Sequence, residues 1–328
     1  MTSSRPSTLP RAAAFDVAIL REMYPARGVE ISGIDPRLNA SRIARRLGTS
    51  RARVAARLRA WGETGFVQRY DVWPNPTLFG LTGFSLDVRV AERSEKSDVI
   101  ARIGLVAGAV AGLDLTGDWI ASTFLLPAGE DGNRTAALVR SLTGVAETGV
   151  PVAWAPSEAT RPLTPLELRI VRVLRQYPTE SLAEIARHVG VSSRTITARY
   201  GKLLDDRAVW FIPVFDFRAL AEPVVSLSVE LASGAERAAF ARALRRQFPN
   251  SIEFLRAPFG PVLPDHVGGY FVIAESAARV EDVEAWVHRA PGVRSHEAAT
   301  LIRVLTFPET IDRLIAAGAS PAGAPRIK

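Results

Sequence analysis

The sequence predicts an α+β chain: two winged helix-turn-helix modules, each followed by a ferredoxin-like βαββαβ domain. Three observations predict it. Residues 43–57 and 185–199 repeat one another at a constant offset of 142, with seven identities in fifteen. In each copy a glycine (Gly48, Gly190) and a serine (Ser50, Ser192) separate two stretches of helical periodicity, the layout of a helix-turn-helix. Behind each copy the pattern of apolar runs reads β-α-β-β-α-β. An internal repeat of this kind constrains the architecture before any finer argument.

Each half opens on a helix. Phe15, Ile19, Leu20 and Met23 recur at helical spacing, as do Leu166, Ile170, Val173 and Leu174. Thr164-Pro165 supplies a cap and a first-turn proline. Both helices end at a Tyr-Pro pair, Tyr24-Pro25 and Tyr177-Pro178. From that tyrosine to the repeated isoleucine is 19 residues in the first copy and 8 in the second. The first copy therefore carries an 11-residue insertion around Ala26 to Leu38, expected to be a surface loop. Aromatic and β-branched runs after each repeat, Phe66 to Trp73 and Val209 to Phe215, predict the wings.

Behind the first wing, strands are expected at Phe84–Ala91, Val110–Leu115, Trp119–Leu126 and Gly149–Trp154, with helices at Ser97–Val106 and Arg134–Leu142. Behind the second, strands are expected at Val224–Leu231, Ser251–Arg256, Gly268–Ala274 and His296–Thr306, with helices at Ala235–Phe248 and Val280–Arg289. Leu86-Asp87-Val88-Arg89-Val90 and Leu227-Ser228-Val229-Glu230-Leu231 alternate apolar and polar, so one sheet face is covered by helices. The resulting division is 1–10 disordered, 11–76 first helix-turn-helix, 77–155 first ferredoxin-like domain, 156–162 linker. It continues with 163–218 second helix-turn-helix, 219–315 second ferredoxin-like domain and 316–328 disordered tail.

Composition narrows the function. The 328 residues are 47% hydrophobic and 23% charged, an ordinary balance for a globular protein. The formal charge is +7, and only Lys96, Lys202 and Lys328 of the 41 basic residues are lysine. A basic balance favours polyanionic partners, and the clustering of the arginines matters more than their total. With no cysteine, disulfides, thiolate metal sites and cysteine nucleophiles are excluded. No apolar run approaches the roughly 18 residues of a membrane helix, and the N-terminus does not read as a secretory signal, so a cytoplasmic protein without a membrane partner is expected. No Gly-rich phosphate loop, metal-spaced His/Glu cluster or Ser/His/Asp grouping is apparent, so neither cofactor nor metal is expected.

The arginines do cluster. Val54, Leu58 and Trp61, like Ile196, Tyr200 and Leu203, lie at spacing that packs the second repeated helix inward. Its outward positions then carry Arg51, Arg53, Arg57 and Arg59 in the first copy. In the second they carry Ser193, Arg194, Thr195, Arg199 and Lys202. Ser50 and Ser192 are placed to cap these helices. In a major groove, the residues near the helix N-terminus would read base edges, and Arg57 and Arg199 would hold phosphates. Replacing Arg53 and Arg57 by alanine is then expected to cut affinity for double-stranded DNA and leave folding intact. The second copy departs from the first at Gly201, at Asp205-Asp206, and at Arg207-Ala208 where the first has Gly65-Phe66.

These motifs resemble the leucine-responsive regulatory protein/AsnC family of transcription regulators. The likeness rests on Gly48 through Leu58 followed by Gly65-Phe66-Val67-Gln68, and covers nearly the whole chain twice, as a tandem fusion. The resemblance implies a sequence-specific regulator built as a covalent pseudo-dimer with its two sheets facing one another. It implies homo-oligomerisation through the ferredoxin-like domains, and modulation by an amino acid or small metabolite. Candidate effector contacts lie in the turn between the second and third strands of each domain: Thr116, Gly117 and Asp118, and His266, Gly268 and Gly269.

Two other readings compete. Proteins of the same domain pair, including fused two-half forms, resemble siroheme decarboxylases of haem biosynthesis. Such chemistry needs basic residues and histidine around an acidic tetrapyrrole. Only His188, His266, His288 and His296 are available, and the chain is expected not to be an enzyme. Ferredoxin-like sheets can also bind single-stranded RNA on aromatic-studded faces, but the strand faces here are aliphatic.

Overall fold

Short polar caps start most of the helices and left-handed turns end several of them. In a computed structural model, the described residues are 13–23, 39–145, 147–149, 151–154, 159, 161–253, 266–274 and 276–318. The predicted insertion, the N-terminal ten residues and most of the linker lie outside them. The first half runs α1 (Ala13–Met23), α2 (Asn39–Leu47), α3 (Arg51–Glu63), β1 (Val67–Pro74), β2 (Leu81–Arg89), α4 (Lys96–Leu105), β3 (Ala109–Leu115), β4 (Trp119–Pro127), α5 (Gly132–Thr143), β5 (Glu147–Thr148) and β6 (Val152–Trp154). The second runs α6 (Pro165–Gln176), α7 (Leu182–Val189), α8 (Ser193–Asp205), β7 (Val209–Phe215), β8 (Val224–Leu231), α9 (Gly234–Gln247), β9 (Ser251–Glu253), β10 (Val267–Ile273), α10 (Ala277–Arg289), β11 (Val293–Thr306) and α11 (Pro308–Ala317).

The tight turn before α8 has a clear local cause. Gly190 ends α7 at φ 76°, and Ser192 caps α8 by accepting from the Thr195 backbone N–H at 3.1 Å. Gly48 and Ser50 act in the same way before α3, with φ 61° and 3.2 Å to Arg53 N. Capping boxes at Thr164/Glu167 and Ser181/Glu184 fix the starts of α6 and α7.

β1 and β7 form a separate antiparallel ribbon in which Val67 faces Phe215 and Pro74 faces Val209. The start of each strand thus lies beside the end of the other. Phe66 stacks on Phe215 with centroids 4.9 Å apart and meets Trp61 edge-on at 5.1 Å. Buried Asn75 ties the halves further by donating to the Arg207 carbonyl at 2.8 Å. Its own backbone N–H donates to the Ala208 carbonyl at 2.9 Å.

The remaining strands make one nine-stranded sheet in the order β5-β2-β4-β3-β11-β8-β10-β9, with β6 also on β2. Sequence reasoning expects two sheets facing one another. They are joined edge to edge as well, β3 pairing antiparallel with β11. Each would otherwise leave a strand edge with unpaired N–H and C=O groups. β11 serves both halves: Val293 to Leu301 pair with β8, and Leu301 to Thr306 pair with β3, with a one-residue bulge between Leu301 and Arg303. Helices α4 and α5 pack on Leu86, Val88 and Phe124, whereas α9 and α10 pack on Leu227, Val229 and Tyr270. A third core joins the six N-terminal-module helices, the ribbon and α11 to the other sheet face through Leu113, Leu125, Phe271 and Ile273.

Several details differ from expectation. The last strand of the first half is split into β5 and β6. Ala316 and Ala317, expected to be disordered, complete α11, a helix that the sequence reading missed. It docks through Ile311, Leu314 and Ile315, all buried. The strand expected at Gly268–Ala274 is β10, so Gly268 and Gly269 lie inside it, opposite Val229 and Ser228, and their assignment to the turn is corrected.

Candidate nucleic-acid interface

Helix α3 presents Arg51, Arg53 and Arg59 to solvent, and α8 presents Ser193, Arg194 and Lys202. Thr195 is half-buried: its hydroxyl lies 2.9 Å from Ser192 Oγ. Their N-terminal ends are the capped ends, where unpaired N–H groups and the helix dipole favour an anion. Arg53 is held over the Phe15 ring at 4.5 Å, which orients it while leaving it exposed.

Two of the predicted phosphate contacts, Arg57 and Arg199, reach carboxylates within the fold. Arg57 makes a bidentate pair with Asp16 of α1, with Nε to Oδ1 at 2.5 Å, and Trp61 Nε1 donates to the same Oδ1 at 3.0 Å. The Arg57 side chain is 12% exposed and Asp16 5%. Donating to Asp16 raises the guanidinium pKa further above its ordinary value. Arg199 of α8 lies 3.5 Å from Glu167 Oε1, on the first helix of its own module, and stays partly exposed. Glu167 is fully buried and also receives both terminal nitrogens of Arg161 at 2.8 Å. Burial works against its ionisation, but Arg161 and the Thr164 backbone and hydroxyl outweigh it and hold its pKa near 2. Arg161 in turn reaches Asp206 at 2.6 Å. Helices α3 and α8 are therefore each tied to the first helix of their module by a carboxylate–guanidinium contact. The expectation that Arg57→Ala leaves folding intact is corrected, because this arginine answers a buried charge. The one available signal was Asp16, a charge inside an otherwise apolar helical face.

The proposed effector contacts do not converge on one pocket. Thr116, Gly117 and Asp118 form the β3–β4 turn. There the Thr116 backbone N–H donates to the Thr300 carbonyl at 2.7 Å, the Thr300 N–H donates to Thr116 Oγ1 at 3.0 Å, and Asp118 pairs with Arg89 at 2.8 Å. Buried Lys96 holds the turn from below, donating to the Gly117 carbonyl at 3.3 Å and pairing with Asp114 at 3.0 Å. Asp114 also binds Arg303 across the β3–β11 seam at 3.1 Å. His266 begins the approach to β10, its carbonyl accepting from Leu231 N at 2.8 Å. Gly268 is glycine for packing: a Cβ there would meet the Tyr270 hydroxyl at 2.6 Å. β11 and β8 stand between the two groups in the strand order.

Sequence reasoning also missed a pair of carboxylates. Asp87 on β2 is half-buried, and its pKa is pushed up to about 6, first by burial and then by the charge of Glu297 on β11. Among the described residues there is no cluster of three His, Asp or Glu able to hold a metal, and no helix long and apolar enough to cross a membrane.

Residues 163–208 match the family model for a winged helix-turn-helix DNA-binding domain. No curated protein matches the chain. Among solved structures, the siroheme decarboxylase NirDL aligns over 93% of this chain and 97% of its own, at 13% identity and TM-score 0.51. An AsnC family transcriptional regulator from Agrobacterium tumefaciens aligns over 42% of this chain and 89% of its own, at 16% identity and TM-score 0.28. The leucine response regulatory protein LrpA of Mycobacterium tuberculosis aligns over 44% and 91%, at 18% identity and TM-score 0.27. The first likeness is one of fold. It overturns the expectation that the chain is not an enzyme, since the same full-length fold belongs to a decarboxylase.

Proposed function

We propose that the chain is a DNA-binding transcription regulator of leucine-responsive/AsnC type. In this reading its two halves are a tandem duplication acting as a covalent pseudo-dimer. The observation that carries it is the β1–β7 ribbon. Each strand begins where the other ends, which relates α3 and α8 by an approximate two-fold axis. Two capped helices with basic N-terminal ends, so related, suit two half-sites of one duplex. The groove residues are Arg51, Arg53 and Arg59 on α3, and Ser193, Arg194, Thr195 and Lys202 on α8. Arg57 and Arg199 set the pitch of those helices.

The test is footprinting on genomic fragments selected by the full chain at two salt concentrations. Two protected half-sites about 10 bp apart, or a multiple of that, are expected. Arg51→Ala with Arg53→Ala should weaken one, and Arg194→Ala with Lys202→Ala the other. Salt-sensitive binding without a shared motif would reduce the surface to non-specific electrostatics and overturn the reading.

A second reading rests on the full-length likeness to NirDL: an enzyme acting on a siroheme-type tetrapyrrole. A visible absorption shift on titration with an iron tetrapyrrole, with no DNA selected, would favour this second reading.

A further inference from the structure

Helices α3 and α8 share a frame and differ at nearly every outward position. At the constant offset of 142, Val54 and Ile196 are both buried, as are Trp61 and Leu203. Each helix starts from a serine that accepts the backbone N–H three residues on, Ser50 from Arg53 at 3.2 Å and Ser192 from Thr195 at 3.1 Å. The positions turned away from the core do not match. Arg51 stands over Ser193, Ala52 over Arg194, Arg53 over Thr195, Ala55 over Thr197 and Arg59 over Gly201. Ala56 and Ala198 are alike, but they carry no hydrogen-bonding group.

Charge separates the two modules further. Helices α2 and α3 together carry seven arginines against Glu63, whereas α7 and α8 carry three arginines and Lys202 against Glu184 and Asp205. The first module therefore has the stronger attraction to phosphate and the greater sensitivity to salt. The groove chemistry differs as well. An arginine fork matches O6 and N7 of guanine, and α3 sets two of them, Arg51 and Arg53, exposed at its capped end. Helix α8 has Arg194 alone there. Exposed Thr197 donates its hydroxyl to the Ser193 carbonyl at 2.9 Å, so its outward offering is a methyl group, next to exposed Ala198. Small apolar groups of this kind pack on the methyl of thymine.

We propose that the operator is not a palindrome: α3 reads a guanine-rich half-site, and α8 reads an unlike half-site with one guanine beside A·T pairs. This rests on the reading of the chain as a two-module DNA binder. A dimer of identical subunits presents the same side chains to both half-sites, and its operator mirrors that symmetry. Here the helices are related by an approximate two-fold axis, but the side chains that would read the bases are not. Both modules lie on one chain, so the pairing of unlike half-sites is fixed.

The test is selection of bound sequences from a random duplex library by the full chain. Beside it stands a variant in which α3 takes the outward residues of α8: Arg51→Ser, Ala52→Arg, Arg53→Thr and Ala55→Thr. Circular dichroism checks the fold of each variant. The wild type should select two unlike half-sites, and replacing the α3 half-site by a second copy of the α8 half-site should weaken binding about tenfold or more. The variant should reverse that preference and select an inverted repeat of the α8 half-site. A wild type that selects a perfect inverted repeat, or a folded variant whose motif is unchanged, would overturn the proposal and leave the DNA-binding reading standing. Salt-sensitive binding by the wild type with no motif would overturn both. Arg51→Ala alone, a smaller change, should relax the guanine preference in the α3 half-site only; relaxation of both half-sites, or of neither, would also overturn the proposal.

Discussion

Asp16 receives Arg57 on both carboxylate oxygens and Trp61 on one of them, so three side chains from α1 and α3 share one buried charge. Removing either charged partner strands the other. Asp16→Ala should cost about 3 kcal/mol or more in stability, read as a lowered urea midpoint. Arg57→Ala should do the same, whereas Arg51→Ala and Arg59→Ala should each stay within about 0.5 kcal/mol. An Arg57→Ala variant as stable as the wild type would return that arginine to the groove.

Arg207 takes a left-handed backbone at φ 54°, where Gly65, 142 residues earlier, takes φ 77°. A side chain there is strained by about 1–2 kcal/mol, partly offset by the freedom glycine gains in the unfolded chain. Arg207→Gly should therefore stabilise by up to about 1 kcal/mol, seen as a raised melting temperature. The Asn75 bond to the Arg207 carbonyl involves only backbone at that residue and survives the change.

Glu167 has a folded pKa near 2, below its ordinary value. Its contribution is fully present above the usual glutamate range and disappears as the pH falls from there towards 2. Glu167→Gln should flatten the acid limb of stability against pH. An unaltered slope would mean that other carboxylates set it.

Asp87 behaves with the opposite sign. Its folded pKa of about 6 lies above its unfolded value, so its ionisation opposes folding as the pH rises through 6. Asp87→Asn should stabilise at pH 7.5 by ~1 kcal/mol and make little difference at pH 4. Glu297→Gln should give part of the same gain, which a double-mutant cycle would separate from burial.

The contrast between these residues marks how far the chain can be read from its letters. Gly48, Ser50, Gly190 and Ser192 declare a turn and a cap locally, so the helix-turn-helix pattern is legible from spacing alone. The period-two runs of β2 and β8 are equally legible. The partner of Arg57 is not: an outward arginine looks the same whether it faces solvent or a carboxylate 41 residues away. Nor does strand alternation reveal that Glu297 is felt by Asp87, since that depends on how distant strands meet. Helix α11 was legible from Ile311, Leu314 and Ile315, but its Ala/Gly-rich continuation obscured it.

Ile302 stands at the bulge in β11, where the strand passes from β8 to β3. Strand side chains alternate, so an uninterrupted β11 would put Arg303 on the same side as Leu301. The extra residue resets the phase. Leu301 then faces Leu115 while Arg303 turns over to meet Asp114, beside Lys96. The two ladders thus run half a period out of step, and one residue splices them. Deleting Ile302 would leave Leu301 opposite Leu115 and Arg303 opposite Asp114 in unbroken alternation, with Arg303 still beside the Lys96–Asp114 pair. The splice should therefore tolerate the loss of that one unpaired residue, whereas removing a paired residue on either side of it would slip one of the two ladders and turn its side chains over.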